Sequence, residues 1–269
     1  MYYLICGGVG LMTSAKQQRI LARAKARECL NGKGNRLLLI WGILACVLVT
    51  VALSIVVDSF YVILARDFRV TEAVALLCLG TARFLLFYFL AFPLYLGVVD
   101  AAGRISRDEQ ADLFVFFGFY RSLRMLGRAW RIQLRVAVAA LPFFAVAALR
   151  YAIAFCPSLA WESVFSAVFT LALPLAVIGG FLSTGRVLLF VRMAVRDEGR
   201  SLRSVRKETA RLARGNMCSL HLLRLRCWSA FLLSLLSIGV VTLIDTLPTS
   251  LLIGEQVLLQ WEKNITTNQ

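Results

Sequence analysis

The sequence predicts an all-α protein, a polytopic bundle of transmembrane helices with five to six spans, and three observations carry that expectation. The 269 residues are 59% hydrophobic with a mean hydropathy of +0.76, well above the roughly 45 to 50% apolar content of soluble domains. The remaining charge is one-sided, 30 Lys and Arg against 15 Asp and Glu, as suits a membrane protein with one basic face. The apolar residues also gather in runs long enough to cross a hydrocarbon layer of about 30 Å.

Along the chain, residues 1–36 form an N-terminal segment, 37–261 a membrane domain and 262–269 a tail. The opening MYYLICGGVGL is apolar but too short to span. It lacks a charged n-region and a following cleavage site, so it does not read as a signal peptide. Met12 begins the basic stretch TSAKQQRILARAKAR, leaving Met1 and Met12 as alternative starts. The expected spans fall at about 37–57, 74–99, 136–155, 164–190 and 228–244. The stretch 247–261 is apolar but short and holds Pro248 and Glu255. It suits a sixth crossing or a re-entrant helix.

Lys and Arg between these spans number seven in 1–36, two in 58–73, seven in 100–135, one in 150–163 and eleven in 186–226. By the positive-inside rule this alternation puts the N-terminus and the two long basic loops in the cytoplasm, with the short loops around Arg66 and Glu162 outside. The expected location is the cell membrane, crossed several times with the N-terminus cytoplasmic. A basic amphipathic segment followed by a hydrophobic hairpin recurs three times with a period near about 90 residues. The basic segments end at Gly32 or Gly34, at Gly127 and at Gly215, where a left-handed cap can stop a helix before the chain enters the membrane.

The basic residues are ordered on helical wheels. Arg121, Arg124, Arg128, Arg131 and Arg135 are spaced 3, 4, 3 and 4, which holds them within about 80° of one another. Arg192, Arg196, Arg200, Arg203, Lys207, Arg211 and Arg214 do the same over about 100°, opposite Leu202, Val205, Leu212 and Ala213. Lys16, Arg19, Arg23 and Arg27 form a shorter stripe. Such helices can lie in the interface with the apolar face in the acyl boundary and the cations on anionic headgroups, at about 1 kcal/mol per residue. They can equally serve only to orient the protein and solvate its wet face. A membrane partner or self-association is a further use. Nucleic acid is disfavoured, because no nucleic-acid fold or aromatic platform accompanies the stripes.

One charge falls within a span. Arg83, between LGTA and FLLFYFL, lies near the middle of the second span, where insertion costs about 2.5 to 3.5 kcal/mol, so it is expected to face the bundle interior. Its candidate partners are Asp58, Asp100, Asp245 and Glu255. The pair would line a substrate or ion path, or fix helix packing. Pro93, Pro142 and Pro174, with Gly179 and Gly180, are the residues able to break helices in these spans.

No catalytic constellation is legible. Seven cysteines lie singly, mostly in apolar runs, and imply no disulfide framework. Cys218, His221 and Cys227 cannot converge on one metal from a continuous helix. His221 is the one histidine, so no Ser-His-Asp set is expected, and no glycine-rich phosphate loop follows a strand. No cofactor or metal is expected. The sequon Asn264-Ile265-Thr266 needs an extracytoplasmic tail in a glycosylating cell.

Ala26-Arg27-Glu28-Cys29-Leu30-Asn31-Gly32 resembles the opening A-R-x-x-L-x-G of a family of bacterial integral membrane proteins, domain of unknown function 975. That family is related in pattern to the membrane domain of glycerophosphodiester phosphodiesterases. Arg211-Leu212-Ala213-Arg214-Gly215-Asn216, followed by Leu236-Ser237-Ile238-Gly239, is similar to its later section, without the aromatic and Trp usual there. The resemblance covers about residues 14–261 and implies a multi-pass membrane protein, with no activity or catalytic residue to transfer. The expected role is therefore a non-enzymatic membrane protein contacting anionic lipids or a membrane partner through Arg121, Arg124, Arg128, Arg131, Arg135, Arg196, Arg200, Arg203, Lys207, Arg211 and Arg214. The alternative is a small transporter or channel built on Arg83 and an acidic partner.

Overall fold

The computed structural model describes residues 17, 20–32, 34–67, 72–154, 159–214, 216–217, 220–222 and 247–267, and no β-strand occurs among them. The expected fifth span, 228–244, and Asp245, Lys16, Arg19 and Gly215 lie outside the described residues. Eight helices are numbered here: α1 (20–31), α2 (Asn35–Asp67), α3 (Glu72–Leu86), α4 (Phe92–Ser106), α5 (Leu123–Ala154), α6 (Leu159–Arg196), α7 (Leu202–Ala213) and α8 (Leu247–Thr267). A π-helical turn, Phe87–Ala91, joins α3 to α4, and a 3-10 helix, Leu113–Tyr120, lies between α4 and α5.

Among the described residues, two stretches are long and apolar enough to cross a membrane, Asn35–Phe60 and Cys78–Ser106. They differ in cover. Over an 18-residue window of each, only 11% of the first is buried within the protein, against 59% of the second. On α2 the side chains of Leu48, Ile55 and Phe60 are all more than half exposed. Its hydroxyls turn inward to their own backbone: Thr50 Oγ1 donates to the Cys46 carbonyl (2.7 Å), Ser54 Oγ to that of Thr50 (2.9 Å) and Ser59 Oγ to that of Ile55 (2.9 Å). Polar groups satisfied by the preceding turn suit a helix without water around it. The third and fourth expected spans fall in α5 and α6, helices of 32 and 38 residues.

The chain divides into two compact units, 1–130 with 224–269, and 131–223. In the first, Gly34 takes φ +79 between α1 and α2, the left-handed position expected of a helix stop. Asn35 Nδ2 ties the turn back by donating to the Cys29 carbonyl (2.8 Å). α2 and the α3–π–α4 segment then run antiparallel, with Asp58 beside Arg83 and Gly42 beside Val98. α4 is buried nearly all round, under α2, α8 and the 3-10 helix. Phe116 sets that packing. Its backbone lies across Gly97, where an added Cβ would stand 2.1 Å from the Phe116 carbonyl oxygen, and its ring lies over Gly42 at 2.7 Å from the corresponding point.

Pro93 explains the π-helical turn. Lacking an N–H, it cannot make the α-helical bond to the carbonyl of Phe89, four residues earlier, which favours the wider turn. The Trp130 indole Nε1 lies at 3.5 Å from that oxygen, and the Tyr120 hydroxyl donates to the neighbouring carbonyl of Leu90. By contrast, α6 continues through Pro174 and the Gly179-Gly180 pair.

In the second unit α7 turns back along α6 and packs on it. Met193, Ala194 and Val195 of α6 and Val205, Leu212 and Ala213 of α7 are buried. Two details of the expected repeat differ. Gly127 lies inside α5 rather than at a helix stop, because the backbone there is helical and open space surrounds it. The long C-terminal stripe is also two helices, since α6 ends at Arg196 and α7 starts after Ser201.

Candidate functional site

α7 carries the most ordered basic face. Ser201 caps it by accepting from the Ser204 N–H (3.2 Å), one of the orphan donors of a helix start. Val205, Thr209, Leu212 and Ala213 form its buried side. The Thr209 hydroxyl donates to the Val205 carbonyl at 2.8 Å and lies 3.3 Å from Met193 Sδ. The apolar face expected in the acyl boundary is therefore spent on α6, and the outward face is Arg203, Arg206, Lys207, Arg211 and Arg214, all exposed. Arg203, Lys207, Arg211 and Arg214 have no carboxylate partner among the described residues. Arg200 differs. Its Nη1 meets Glu208 at 2.6 Å and Asp197 at 3.6 Å, while Arg196 Nε reaches Asp197 at 3.4 Å, so these two arginines hold the α6–α7 turn.

The α5 stripe divides in the same way. In the first unit Arg121 and Arg124 are exposed and Arg128 is half-buried. In the second unit Arg131 is exposed, while the Arg135 guanidinium lies over the Phe190 ring, 5.1 Å from its centroid, a cation–π contact that makes it a packing residue as well as a charge. On α1, Arg23 and Arg27 are exposed opposite the buried Ala22, Ala26, Cys29 and Leu30.

Of the four acids considered for Arg83, the structure pairs it with Asp58 across the α2–α3 hairpin. The side chains are 50% and 57% exposed, so the pair does not face a bundle interior as expected. Asp100 instead accepts from Arg104 Nε at 3.0 Å, one turn on along α4. Glu255 lies far from Arg83 in role as well as sequence. It is buried on α8, which is not among the stretches long and apolar enough to cross.

Glu255 belongs to a polar cluster that sequence reasoning missed. Its Oε2 and Arg107 Nη1 both border Gly103, 3.7 and 3.4 Å from where a Cβ would stand. Beside it, buried Gln256 donates through Nε2 to the Ser106 carbonyl (2.9 Å), with Cys29 Sγ at 3.8 Å. The cluster thus ties α8 to the end of α4 and to α1. Burial, with the nearby Asp108 carboxylate, pushes the Cys29 thiol above its ordinary value. At the rim Arg107 grips Glu109 with two bonds of 2.6 and 2.9 Å, which holds the Glu109 carboxyl below the usual carboxylate range. The signal available in the sequence was the pair Glu255-Gln256 set inside the otherwise apolar run 251–259.

No group of three or more His, Cys, Asp or Glu able to hold a metal ion occurs among the described residues, and Cys218 and Cys227 lie outside them. No family model, no curated protein and no solved structure matches this chain.

Proposed function

We propose that the protein is a non-enzymatic, multi-pass membrane protein of the bacterial cytoplasmic membrane whose basic helices engage anionic lipid headgroups on the cytoplasmic side. The observation that carries this reading is the outward face of α7, with Arg203, Lys207, Arg211 and Arg214 exposed and without carboxylate partners among the described residues, on a chain whose helix α2 is apolar and almost uncovered. An uncovered apolar helix needs an apolar medium. Unpaired cations near a bilayer are drawn to anionic headgroups at about 1 kcal/mol each. Because α7 spends its apolar side on α6, its contact with the leaflet is electrostatic and screened by salt. Five to six spans, with the basic segments of α1, α5 and α7 facing the cytoplasm, accord with the alternation of charge and with the resemblance to the family of domain of unknown function 975.

The test uses the purified chain in nanodiscs, with vesicles of phosphatidylcholine alone or with phosphatidylglycerol offered for co-flotation. Capture by the anionic vesicles is expected, falling steeply as salt rises and weakening when Arg203, Lys207 and Arg211 are changed together to Gln. Unchanged capture by that variant would sink the reading. A transporter or channel remains the second reading, favoured by the Arg83–Asp58 pair. Ion or solute flux in liposomes that Arg83→Leu abolishes without unfolding would establish it instead.

A further inference from the structure

The stretch Leu113–Tyr120, LFVFFGFY, sits in the basic segment between two expected spans, and its packing divides it cleanly. Asp112 caps it, its carboxylate accepting from the Val115 N–H at 3.2 Å. Val115, Phe116 and Phe119 are buried, and the Tyr120 hydroxyl is anchored on the Leu90 carbonyl. The opposite side is left outward: Leu113 and Phe117 are each 53% exposed, Phe114 71% and Leu123, just beyond, 86%. Arg121 and Arg124 stand among them, both exposed. Large apolar side chains held outward by a rigid backbone need a non-aqueous partner.

The surrounding rings indicate which. Phe117 lies tilted against Tyr120, ring centroids 6.4 Å apart, and Trp130 meets Phe89 edge-on at 4.8 Å, with Tyr88 beside Phe89 at 5.1 Å. The polar ends of these rings turn to backbone: Tyr88 donates to the Trp130 carbonyl at 2.6 Å and Tyr120 to that of Leu90. The exposed aromatic side of the 3-10 helix is thus continuous with exposed Phe87, Phe89 and Leu90, which belong to the stretch Cys78–Ser106 that is long and apolar enough to cross a membrane. Exposed aromatic and aliphatic side chains bordered by arginine, beside an apolar stretch long enough to cross, are the composition of a bilayer interface.

We infer that the 3-10 helix Leu113–Tyr120 is an interfacial anchor: Leu113, Phe114, Phe117 and Leu123 enter the acyl boundary of the leaflet, and Arg121 and Arg124 contact its anionic headgroups. This rests on the membrane reading proposed above and adds a lipid contact made by apolar insertion, which the outward face of α7 does not make. It also gives the π-helical turn a role. Carbonyls at Phe89 and Leu90 receive Trp130 and Tyr120, and so fix the aromatic segment to the side of the membrane helix.

The test places a benzophenone amino acid at Phe114, at Phe117 or at Ile55 in the full chain, reconstituted into liposomes of equal parts phosphatidylcholine and phosphatidylglycerol. Irradiation is expected to give lipid adducts at Phe114 and Phe117, in yield similar to Ile55 on the uncovered side of α2, with phosphatidylglycerol in excess among them. Adducts at Ile55 alone would overturn the anchor and leave the membrane reading standing, whereas their absence at all three sites would overturn both. A cross-linked dimer from Phe114 or Phe117 would assign this face to a second copy of the chain and overturn the inference. If Arg121→Gln with Arg124→Gln leaves the phosphatidylglycerol excess unchanged, the headgroup contact fails.

Discussion

Arg83 and Asp58 form the pair whose energetics depend most on where the chain sits. In an apolar medium each charge without its partner must neutralise or move to the interface, so truncating one leaves the other exposed to the full insertion cost. Both side chains are half-exposed, and the paired state is therefore judged by comparison rather than by a sum. Arg83→Leu and Asp58→Leu are each expected to lower the thermal midpoint in detergent, and the double variant to be more stable than either single one. A coupling of about 0.5 to 3 kcal/mol is the range for groups in direct contact. Strict additivity would show that the pair is no more than an incidental surface contact. Cys29 gives a second residue-scale expectation with a definite sign. Its raised thiol value means that less thiolate is present at pH 8 than in a free thiol. Alkylation of Cys29 by a water-soluble maleimide should therefore be slow in the folded protein and speed up on unfolding, and a rate equal to that of a free thiol would contradict its placement under Gln256. From the sequence alone Arg83 was legible as the costly charge, and Asp58 was one of four acids offered to it. The choice among them needed the antiparallel register of α2 and α3, which residue identity does not encode.

At the scale of elements, the turns and close approaches carry the specificity. Gly97 admits the Phe116 backbone, and a methyl there would stand 2.1 Å from a carbonyl oxygen, so Gly97→Ala must displace the whole 3-10 segment. Overpacking of that kind costs about 1 to 3 kcal/mol or more. Gly127, with nothing within 4 Å of its Cβ position, lies in an ordinary helical turn of α5, and Gly127→Ala should gain about 0.5 to 1 kcal/mol from helix propensity. Thermal unfolding of the two variants side by side checks both signs, and equal effects would refute the packing described for Phe116. These elements also mark where sequence reading stopped. Apolar length announced α2, but LFVFFGFY is too short for a span and has no helical period, so it disappeared into a loop defined by its arginines. The wheel placed Val205 and Leu212 opposite the cations of α7 correctly, yet the same pattern serves burial against lipid or against α6. The break between α6 and α7 was visible in Gly199 and in the capping Ser201, and the regular spacing of arginines concealed it.

For the whole molecule, the number of crossings depends on which of its long helices are covered by lipid and which by protein. Sequence periodicity and charge alternation describe five or six spans, whereas two stretches among the described residues, Asn35–Phe60 and Cys78–Ser106, meet both the length and the composition of a crossing. Hydropathy cannot separate a helix covered by lipid from one covered by protein: α4 reads as apolar as a span, yet it is buried among α2, α8 and the 3-10 helix. Topology is the property that distinguishes these cases. With the seven native cysteines replaced by alanine or serine, single cysteines introduced as Arg66→Cys and Glu162→Cys should react with a membrane-impermeant maleimide in intact cells. Arg23→Cys and Arg203→Cys should react only after permeabilisation, because positive charge is retained on the cytoplasmic side during insertion. Labelling of Arg203→Cys in intact cells would reverse the orientation of the α7 face and remove the cytoplasmic headgroup contact with it. If Arg66→Cys labels and Glu162→Cys does not, α2 and α3 form the crossing hairpin while α5 and α6 stay on the inner side, and the Arg121 to Arg135 stripe then belongs to a helix lying against the membrane rather than one leading through it.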